Sequence, residues 1–166
     1  MKTQTEKFCE LLRSFDTAVL ITHGQETHFH VRPMALAEVE NNGDLWFITG
    51  EDSAKVHEIE EDARAQVVCQ KGWTSCVSVA GTASLVRDRA KIRELWKNSY
   101  KPWFPQGVED PNIVLIRVIG EQGEYWDNTG LNRWLYVYEA LKAVTEGTTP
   151  KVHEGDQHGK VTLHSG

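Results

Sequence analysis

Short runs of β-forming residues recur along the chain and constrain its fold more than any other feature of the sequence. Six of these runs are predicted as strands. Asn42-Gly43 is the strongest hairpin signal between them, because both residues tolerate the positive φ angles of a tight turn. Few connections fit a unit of two parallel strands and a helix, so the pattern favours a mainly β fold, an antiparallel sheet or barrel with peripheral helices. The predicted strands cover residues 18–22, 28–39, 44–49, 65–70, 76–86 and 114–121.

Helical signals flank several of these strands. Thr3 and Glu6 have the spacing of a capping box, and Asp88 stands at the start of a second segment with an apolar face. Beyond residue 145, glycine, histidine and charged residues dominate, which predicts one domain over residues 1–145 and a flexible tail over residues 146–166. The predicted helices cover residues 3–14, 54–62, 88–96 and 130–144, and a turn is predicted at residues 24–26.

Composition limits the classes of function that the chain can have. With 166 residues, of which 40% are hydrophobic, it can bury one core. A net charge of −6 argues against a general nucleic-acid binder. The three cysteines include no CxxC pair, which argues against a zinc ribbon or a disulfide framework. There is no signal-peptide pattern and no apolar run of membrane-spanning length, so we expect a soluble, cytoplasmic protein without a membrane partner.

Two histidines in one predicted strand are the best candidates for a metal site. His28 and His30 point the same way, but no third ligand follows at a matching spacing. A polar strand face is the simpler interpretation, and we predict no metal.

The clearest ligand signal lies in residues 49–55, with the sequence TGEDSAK. Ser53 is a good N-cap residue, and Lys55 lies in the first turn of the helix without an acidic residue to compensate it. A cation at that end opposes the helix dipole, so a bound anion would explain its presence. Backbone N–H groups and the hydroxyls of Thr49 and Ser53 could then surround a phosphate. An ordinary surface helix with a solvated lysine is the alternative.

Arg32 adds a second cation to this picture. It stands in a half-apolar stretch directly before Pro33, and the Asn42-Gly43 turn is expected to fold that stretch back beside residues 46–49. Arg32 could therefore project toward the pocket of Thr49. A surface arginine on an edge strand is the alternative, since Pro33 removes a backbone donor.

An aromatic, proline-rich loop over residues 98–112 is difficult to explain as exposed chain. Trp103 and Phe104 stand between two prolines, and large exposed apolar groups usually mark an interface or a ligand. These rings could pack onto the core of their own chain. They could also cover a planar ligand, including one at a dimer interface.

These motifs together resemble the general stress protein branch of the pyridoxamine 5'-phosphate oxidase-like, FMN-binding split-barrel family. They run in the family's order over about residues 5–128. A tail motif, HGKVTL at residues 158–163, is also similar to family tails. The motifs are VRPMA at residues 31–35, LWFITG at 45–50, DSAKV at 52–56, VAGTA at 79–83, DRAKIRELW at 88–96, KPWFPQG at 101–107, EDP at 109–111 and EYWD at 124–127.

The resemblance implies a six-stranded split barrel that forms a homodimer with FMN in two grooves at the interface. Ser53, Ala54 and Lys55 would bind the phosphate, and residues 32–35 would line the flavin ring and phosphate. Ile48 and Thr49 would contact the ring and the ribityl chain, and Trp103 and Phe104 would come from the partner subunit. The cofactor-binding residues implied in this way are Arg32, Pro33, Met34, Ala35, Trp46, Ile48, Thr49, Ser53, Ala54, Lys55, Trp103 and Phe104.

One departure from the family pattern bears on activity. Pyridoxamine-phosphate oxidases carry a substrate-binding lysine where this chain has Ala37, so vitamin B6 oxidation is not expected. Some relatives hold a deazaflavin or haem, whereas the spacing of Thr49, Ser53 and Lys55 favours FMN. Three functions stay open: a flavin-dependent oxidoreductase that uses NAD(P)H and a small acceptor, a non-catalytic protein that sequesters or senses FMN, and a ligand-free structural dimer.

Overall fold

One curled antiparallel sheet organises the molecule. The structure is a computed structural model, and it describes residues 1–24, 28–151 and 157–164, except for the side chains of residues 131 and 132. Its strands are β1 (Thr17–His23), β2 (Phe29–Ala35), β3 (Glu38–Val39), β4 (Leu45–Gly50), β5 (Arg64–Lys71), β6 (Ser75–Val86), β7 (Ile113–Asp127) and β8 (His158–Thr162). They follow the order β2-β1-β5-β6-β7-β4-β3, and β8 pairs with β7 beside this path. This is the split-barrel type of sheet, so the predicted fold class is confirmed.

In the described part of the chain the α-helices packed around the sheet are α1 (Gln4–Arg13), α2 (Ala54–Glu61), α3 (Arg89–Leu95) and α4 (Gly130–Glu146). Local signals explain where they start and stop. The capping box of Thr3 and Glu6 is formed at the start of α1, and the Asp88 side chain accepts from the N–H of Ala90 at the start of α3. Helix α4 ends at Gly147, whose φ of 65° is readily adopted by glycine.

Two apolar clusters lie on opposite faces of β4, since alternate side chains of a strand point to opposite faces. Leu45 and Phe47 belong to the main cluster, which α1 covers with Phe8 and Leu12. Trp46 and Ile48 face the other way, toward a second cluster. That cluster consists of Trp46, Ile48, Ile92, Leu95, Tyr100, Phe104, Ile113 and Leu115. The second cluster is the one that supports the site described below.

A bulge in β6 explains the glycine of the VAGTA motif. The pairing between β6 and β7 shifts register between Ala80 and Gly81. A Cβ atom added at Gly81 would lie 2.0 Å from the carbonyl oxygen of Ile119, which is a clash with backbone. Glycine is therefore required for the two long strands to approach at this point.

The predicted strand over residues 28–39 is two strands in the structure. Strand β2 pairs with β1 at one end of the sheet, so Pro33 does lie in an edge strand. Strand β3 pairs with β4 at the other end, across the turn of Asn42-Gly43. The chain crosses between the two edges at Leu36, whose N–H donates to Asp16 at 3.0 Å, and Ala37, whose N–H donates to Trp46 at 2.9 Å.

Part of the predicted flexible tail is a strand, which corrects the prediction for residues 157–164. The N–H of Asp127 donates to the carbonyl of Gln157 at 2.7 Å, and β8 then pairs with β7. Val161 is buried in the main cluster, and Nε2 of His164 lies 3.0 Å from a carboxylate oxygen of Asp44. Residues 152–156, and residues 25–27 of the predicted turn, lie outside the described part of the chain.

Candidate functional site

A pocket of about 560 Å³ opens where β4 ends and α2 begins. Its volume is in the range typical of small-molecule sites. One side is apolar and aromatic, and the other carries hydroxyl, amide and charged groups. The lining residues are Pro33, Met34, Ala35, Ile48, Thr49, Gly50, Asp52, Ser53, Lys55, Tyr100, Trp103, Phe104 and Asn112.

The polar side is a cluster of one ammonium and two hydroxyl groups. Nζ of Lys55 donates to Oγ1 of Thr49 at 3.0 Å, and the hydroxyls of Thr49 and Ser53 lie 3.3 Å apart. Ser53 is the N-cap residue of α2, as predicted, but its side chain makes no capping hydrogen bond. Its hydroxyl is therefore free to bind a ligand instead of the helix.

Helix α2 adds a favourable dipole to this cluster. Its first turn contains no acidic residue, so nothing in that turn neutralises the partial positive charge of the helix N-terminus. The first N–H groups of a helix have no partner within the helix, and those of α2 follow directly after Ser53 in the chain. The arrangement provides several donors for one anionic group.

The environment of Lys55 disfavours its charged form. Burial lowers the pKa of its ammonium group, and the nearby charge of Arg32 lowers it further, while Glu58 and Asp52 offset part of the effect. A bound anion would counter this effect by favouring the charged form.

The apolar side of the pocket can hold a flat ring. Residues 33–35 of β2 and Ile48 of β4 supply small or aliphatic groups, and Tyr100 contributes a buried aromatic ring. Phe104 is only 5% exposed and packs edge-on to Trp96 with ring centroids 6.2 Å apart. Trp103 is 71% exposed and borders the opening. The two aromatic residues of the loop therefore differ. Phe104 packs on the core of its own chain, whereas Trp103 stays available to a ligand.

Arg32 is not among the residues that line the pocket, and its role in binding a cofactor stays a prediction. Its guanidinium donates to the hydroxyl of Thr22 and to a carboxylate oxygen of Glu58, the latter at 2.7 Å. Strand β2 pairs with β1 and not with β4, which places Arg32 over Thr22. The charge of Arg32 also lowers the pKa of Lys55.

Glu58 is the centre of this second polar cluster. It is 7% exposed and accepts hydrogen bonds from Thr22, His30 and Arg32. Burial alone would raise the pKa of its carboxyl group, but the three hydrogen bonds and the charge of Arg32 together lower it. The carboxylate is therefore held in its charged form.

Two further predicted residues lie outside the pocket. Trp46 is buried in the second cluster, with Nζ of Lys91 5.0 Å and the guanidinium carbon of Arg117 5.4 Å from its ring centroid. Its ring N–H donates to Glu40 at 2.7 Å. Ala54 is the first residue of α2 and its side chain is exposed. Only its backbone N–H can contribute to the site.

Sequence reasoning missed four lining residues, namely Gly50, Asp52, Tyr100 and Asn112. Gly50 and Asp52 lie within or beside quoted motifs, and Tyr100 belongs to the aromatic loop, so their neighbourhood offers a signal. No sequence motif points to Asn112. It lies directly before β7, and its side-chain amide donates to Asp52 at 3.0 Å.

The match to a known family decides the identity. Residues 3–151 match the family described as pyridoxamine 5'-phosphate oxidase like. The chain belongs to this family. The predicted resemblance is thereby confirmed, and the pocket at the start of α2 is the candidate site of a pyridoxamine 5'-phosphate oxidase-like protein.

Known proteins similar to this chain include general stress proteins. The general stress protein 26 of Bacillus anthracis str. Sterne is 28% identical, with a TM-score of 0.67 over 73% of this chain and 92% of that one. The general stress FMN/FAD binding protein of Xanthomonas citri is 29% identical, with a TM-score of 0.65 over 76% and 90%. Protein bli-3 of Neurospora crassa is 36% identical over 97 residues, 52% of this chain and 46% of that protein. The chain thus matches about half the length of this curated relative.

The described part of the chain shows neither a metal-binding cluster nor a membrane-spanning helix. No group of three His, Cys, Asp or Glu side chains there could hold a metal ion, and His30 is engaged by Glu58. Among the described residues, no helix has the length and apolar character needed to cross a bilayer.

Proposed function

We propose that this protein binds FMN in the pocket at the start of α2. The observation that carries the proposal is the half-buried ammonium of Lys55, which lies with two hydroxyls at a helix N-terminus and has a lowered pKa. This set of donors fits a phosphate group. The proposal gains support from the Xanthomonas citri relative, whose name describes FMN/FAD binding.

The rest of the pocket fits the other parts of the same ligand. The isoalloxazine ring would lie between residues 33–35, Ile48 and the aromatic loop, with Trp103 as a cover at the opening. Residue Thr49 lies between the apolar and the polar side, where a ribityl chain would run. Bound FMN supplies hydride and electron transfer, and the protein orients the ring and limits access of water to it.

An oxidoreductase that takes hydride from NAD(P)H and passes electrons to a small acceptor is our first candidate for the activity. Flavin chemistry supports it, since a bound flavin can accept a hydride and pass on its electrons. A non-catalytic protein that sequesters or senses FMN is the second candidate. Steady FMN-dependent oxidation of NAD(P)H would support the first, and tight FMN binding without turnover would eliminate it.

Pyridoxamine phosphate is not the proposed substrate. Ala37 packs against the second apolar cluster and offers no charge to a substrate phosphate. An oxidase of this substrate needs a basic group to hold that phosphate in addition to the one that holds FMN.

We also infer that the protein is a homodimer. Helix α4 exposes apolar residues at Trp134, Val137, Leu141 and Val144, a spacing that forms one continuous stripe along a helix. Such a stripe is usually buried in an interface.

The decisive experiment is a titration of the purified protein with FMN and with riboflavin, which lacks the phosphate. We expect a flavin absorbance spectrum after addition of FMN and a much tighter dissociation constant for FMN than for riboflavin. Lys55→Ala should remove most of this difference while its far-ultraviolet circular dichroism stays unchanged. Lys71→Ala, at an exposed lysine outside the pocket, is the matched control. Equal affinity of the wild type for the two flavins would contradict the phosphate site.

A further inference from the structure

Two charged side chains line the described part of the pocket, and they have opposite signs. Lys55 supplies the cation, and Asp52, one residue before the N-cap of α2, supplies a carboxylate. The FMN proposal uses Lys55 but gives no role to Asp52. A carboxylate at a phosphate site opposes the ligand, so its presence there needs an explanation of its own.

The Asp52 side chain is exposed to solvent, and one of its carboxylate oxygens makes a hydrogen bond. Oδ1 of Asp52 accepts from Nδ2 of Asn112 at 3.0 Å, and the N–H of Glu51 donates to the carbonyl of Asn112 at 2.8 Å. These two bonds fasten the loop before α2 to the start of β7. Both side chains lie close to Gly50, where an added Cβ atom would be 2.8 Å from Oδ1 of Asp52 and 2.9 Å from Nδ2 of Asn112.

We propose that Asp52, positioned by Asn112, makes this pocket selective for a flavin that ends in a single phosphate over one that continues through a second phosphate. The inference rests on the proposed FMN site and names its specificity. In chemical terms, the site takes a phosphate monoester and rejects a pyrophosphate diester.

The charges of the two ligand classes explain the selectivity. A phosphate monoester carries about −1.5 to −2 charges at neutral pH on one phosphorus, which suits one ammonium and one helix N-terminus. In a dinucleotide such as FAD the same charge is spread over two phosphates. The first phosphate would interact less strongly with Lys55. The second phosphate would lie beside the first, near the negative charge of Asp52.

Asp52 acts on the pKa of Lys55, whereas two other nearby basic residues are engaged by other carboxylates. Arg87 is engaged by Glu51, with Nη2 2.9 Å from Oε2, and it does not line the pocket. Arg32 is bound to Thr22 and Glu58. Among the described residues that line the pocket, a second phosphate would find no cation beyond Lys55, and Asp52 would oppose it.

The test compares dissociation constants for FMN, FAD and riboflavin in the wild type and in Asp52→Asn. The amide oxygen of Asn can still accept from Asn112, so the variant removes the charge and keeps the hydrogen bond. We expect the wild type to prefer FMN over FAD, and Asp52→Asn to reduce that preference about fivefold, the effect of one screened charge at close range. Glu60→Gln removes an exposed charge from α2 outside the pocket, and we expect it to leave the preference unchanged.

The outcomes separate this inference from the FMN proposal. If the wild type binds FMN more tightly than riboflavin but binds FAD equally well, or if Asp52→Asn leaves the FMN-to-FAD preference unchanged, the selectivity role of Asp52 is overturned and the FMN site stands. If no flavin binds, both proposals are overturned. Should Asp52→Asn fail to fold by circular dichroism, Asp52→Ser provides the same readout.

Discussion

Two cations stand near the start of α2, and they have different roles. Lys55 lines the pocket, whereas Arg32 is committed to the buried carboxylate of Glu58. We expect Arg32→Ala to lower the free energy of unfolding of the ligand-free protein by about 2 kcal/mol, because it leaves a buried charge without its partner. Urea unfolding measures the effect. Arg64→Ala breaks an ion pair on the protein surface and serves as the control, with little expected change.

The pH dependence of binding tests the other cation. Since the pKa of Lys55 is lowered in the folded, ligand-free protein, its ammonium loses its proton at a lower pH than an exposed lysine. We expect the affinity for FMN to fall as the pH rises through that lowered pKa, while the affinity for riboflavin does not. Lys55→Arg should move the loss to higher pH, because arginine keeps its charge. A pH-independent ratio of the two affinities would contradict the role of Lys55.

Local and distant contacts differ in how well the sequence predicts them. Thr49, Ser53 and Lys55 lie within seven residues, so helix capping and the helix dipole are enough to bring them together from the sequence alone. The partners of Arg32 do not follow from its neighbours, since Thr22 and Glu58 belong to other elements. The sequence places a cation at Arg32 but does not predict these partners, because it does not specify which strand lies beside β2.

The same distinction holds for whole elements. Helices α1 and α3 and the Asn42-Gly43 hairpin are predictable because their signals are local. Strand β8 escapes prediction because its sequence, HGKVT, has one large apolar residue and becomes a strand only by pairing with β7. The sequence locates the aromatic loop correctly. It does not predict that Phe104 is buried and Trp103 exposed, because this depends on packing against the second cluster.

The packing of β8 makes a measurable contribution to stability. Val161 is 6% exposed and joins the main apolar cluster, so Val161→Ala removes buried methyl groups. We expect a loss of about 1–2 kcal/mol in the free energy of unfolding, measured by denaturant titration. Lys160→Ala, on the exposed face of the same strand, should have little effect. A tail without fixed structure would make the two variants equivalent.

At the scale of the whole molecule, a single chain leaves the apolar stripe of α4 exposed. Leu141 is 65% exposed within this stripe. We expect the wild type to have the mass of a dimer by light scattering after gel filtration, and Leu141→Glu to shift the population toward the monomer. Lys142→Glu introduces an acidic side chain at an exposed polar position and should stay dimeric. A monomeric wild type would contradict the homodimer.

The contact between α1 and β8 affects how the chain folds. These two elements lie in contact, although nearly the whole described sequence separates them. Strand β7 likewise draws its partners from the middle and the end of the sequence. The native state therefore has a high contact order. During folding, the chain loses the entropy of closing long loops before the long-range strand pairings can stabilise it. Refolding should be slow for a protein of this size, with closure of the main cluster by α1 and β8 among its late steps.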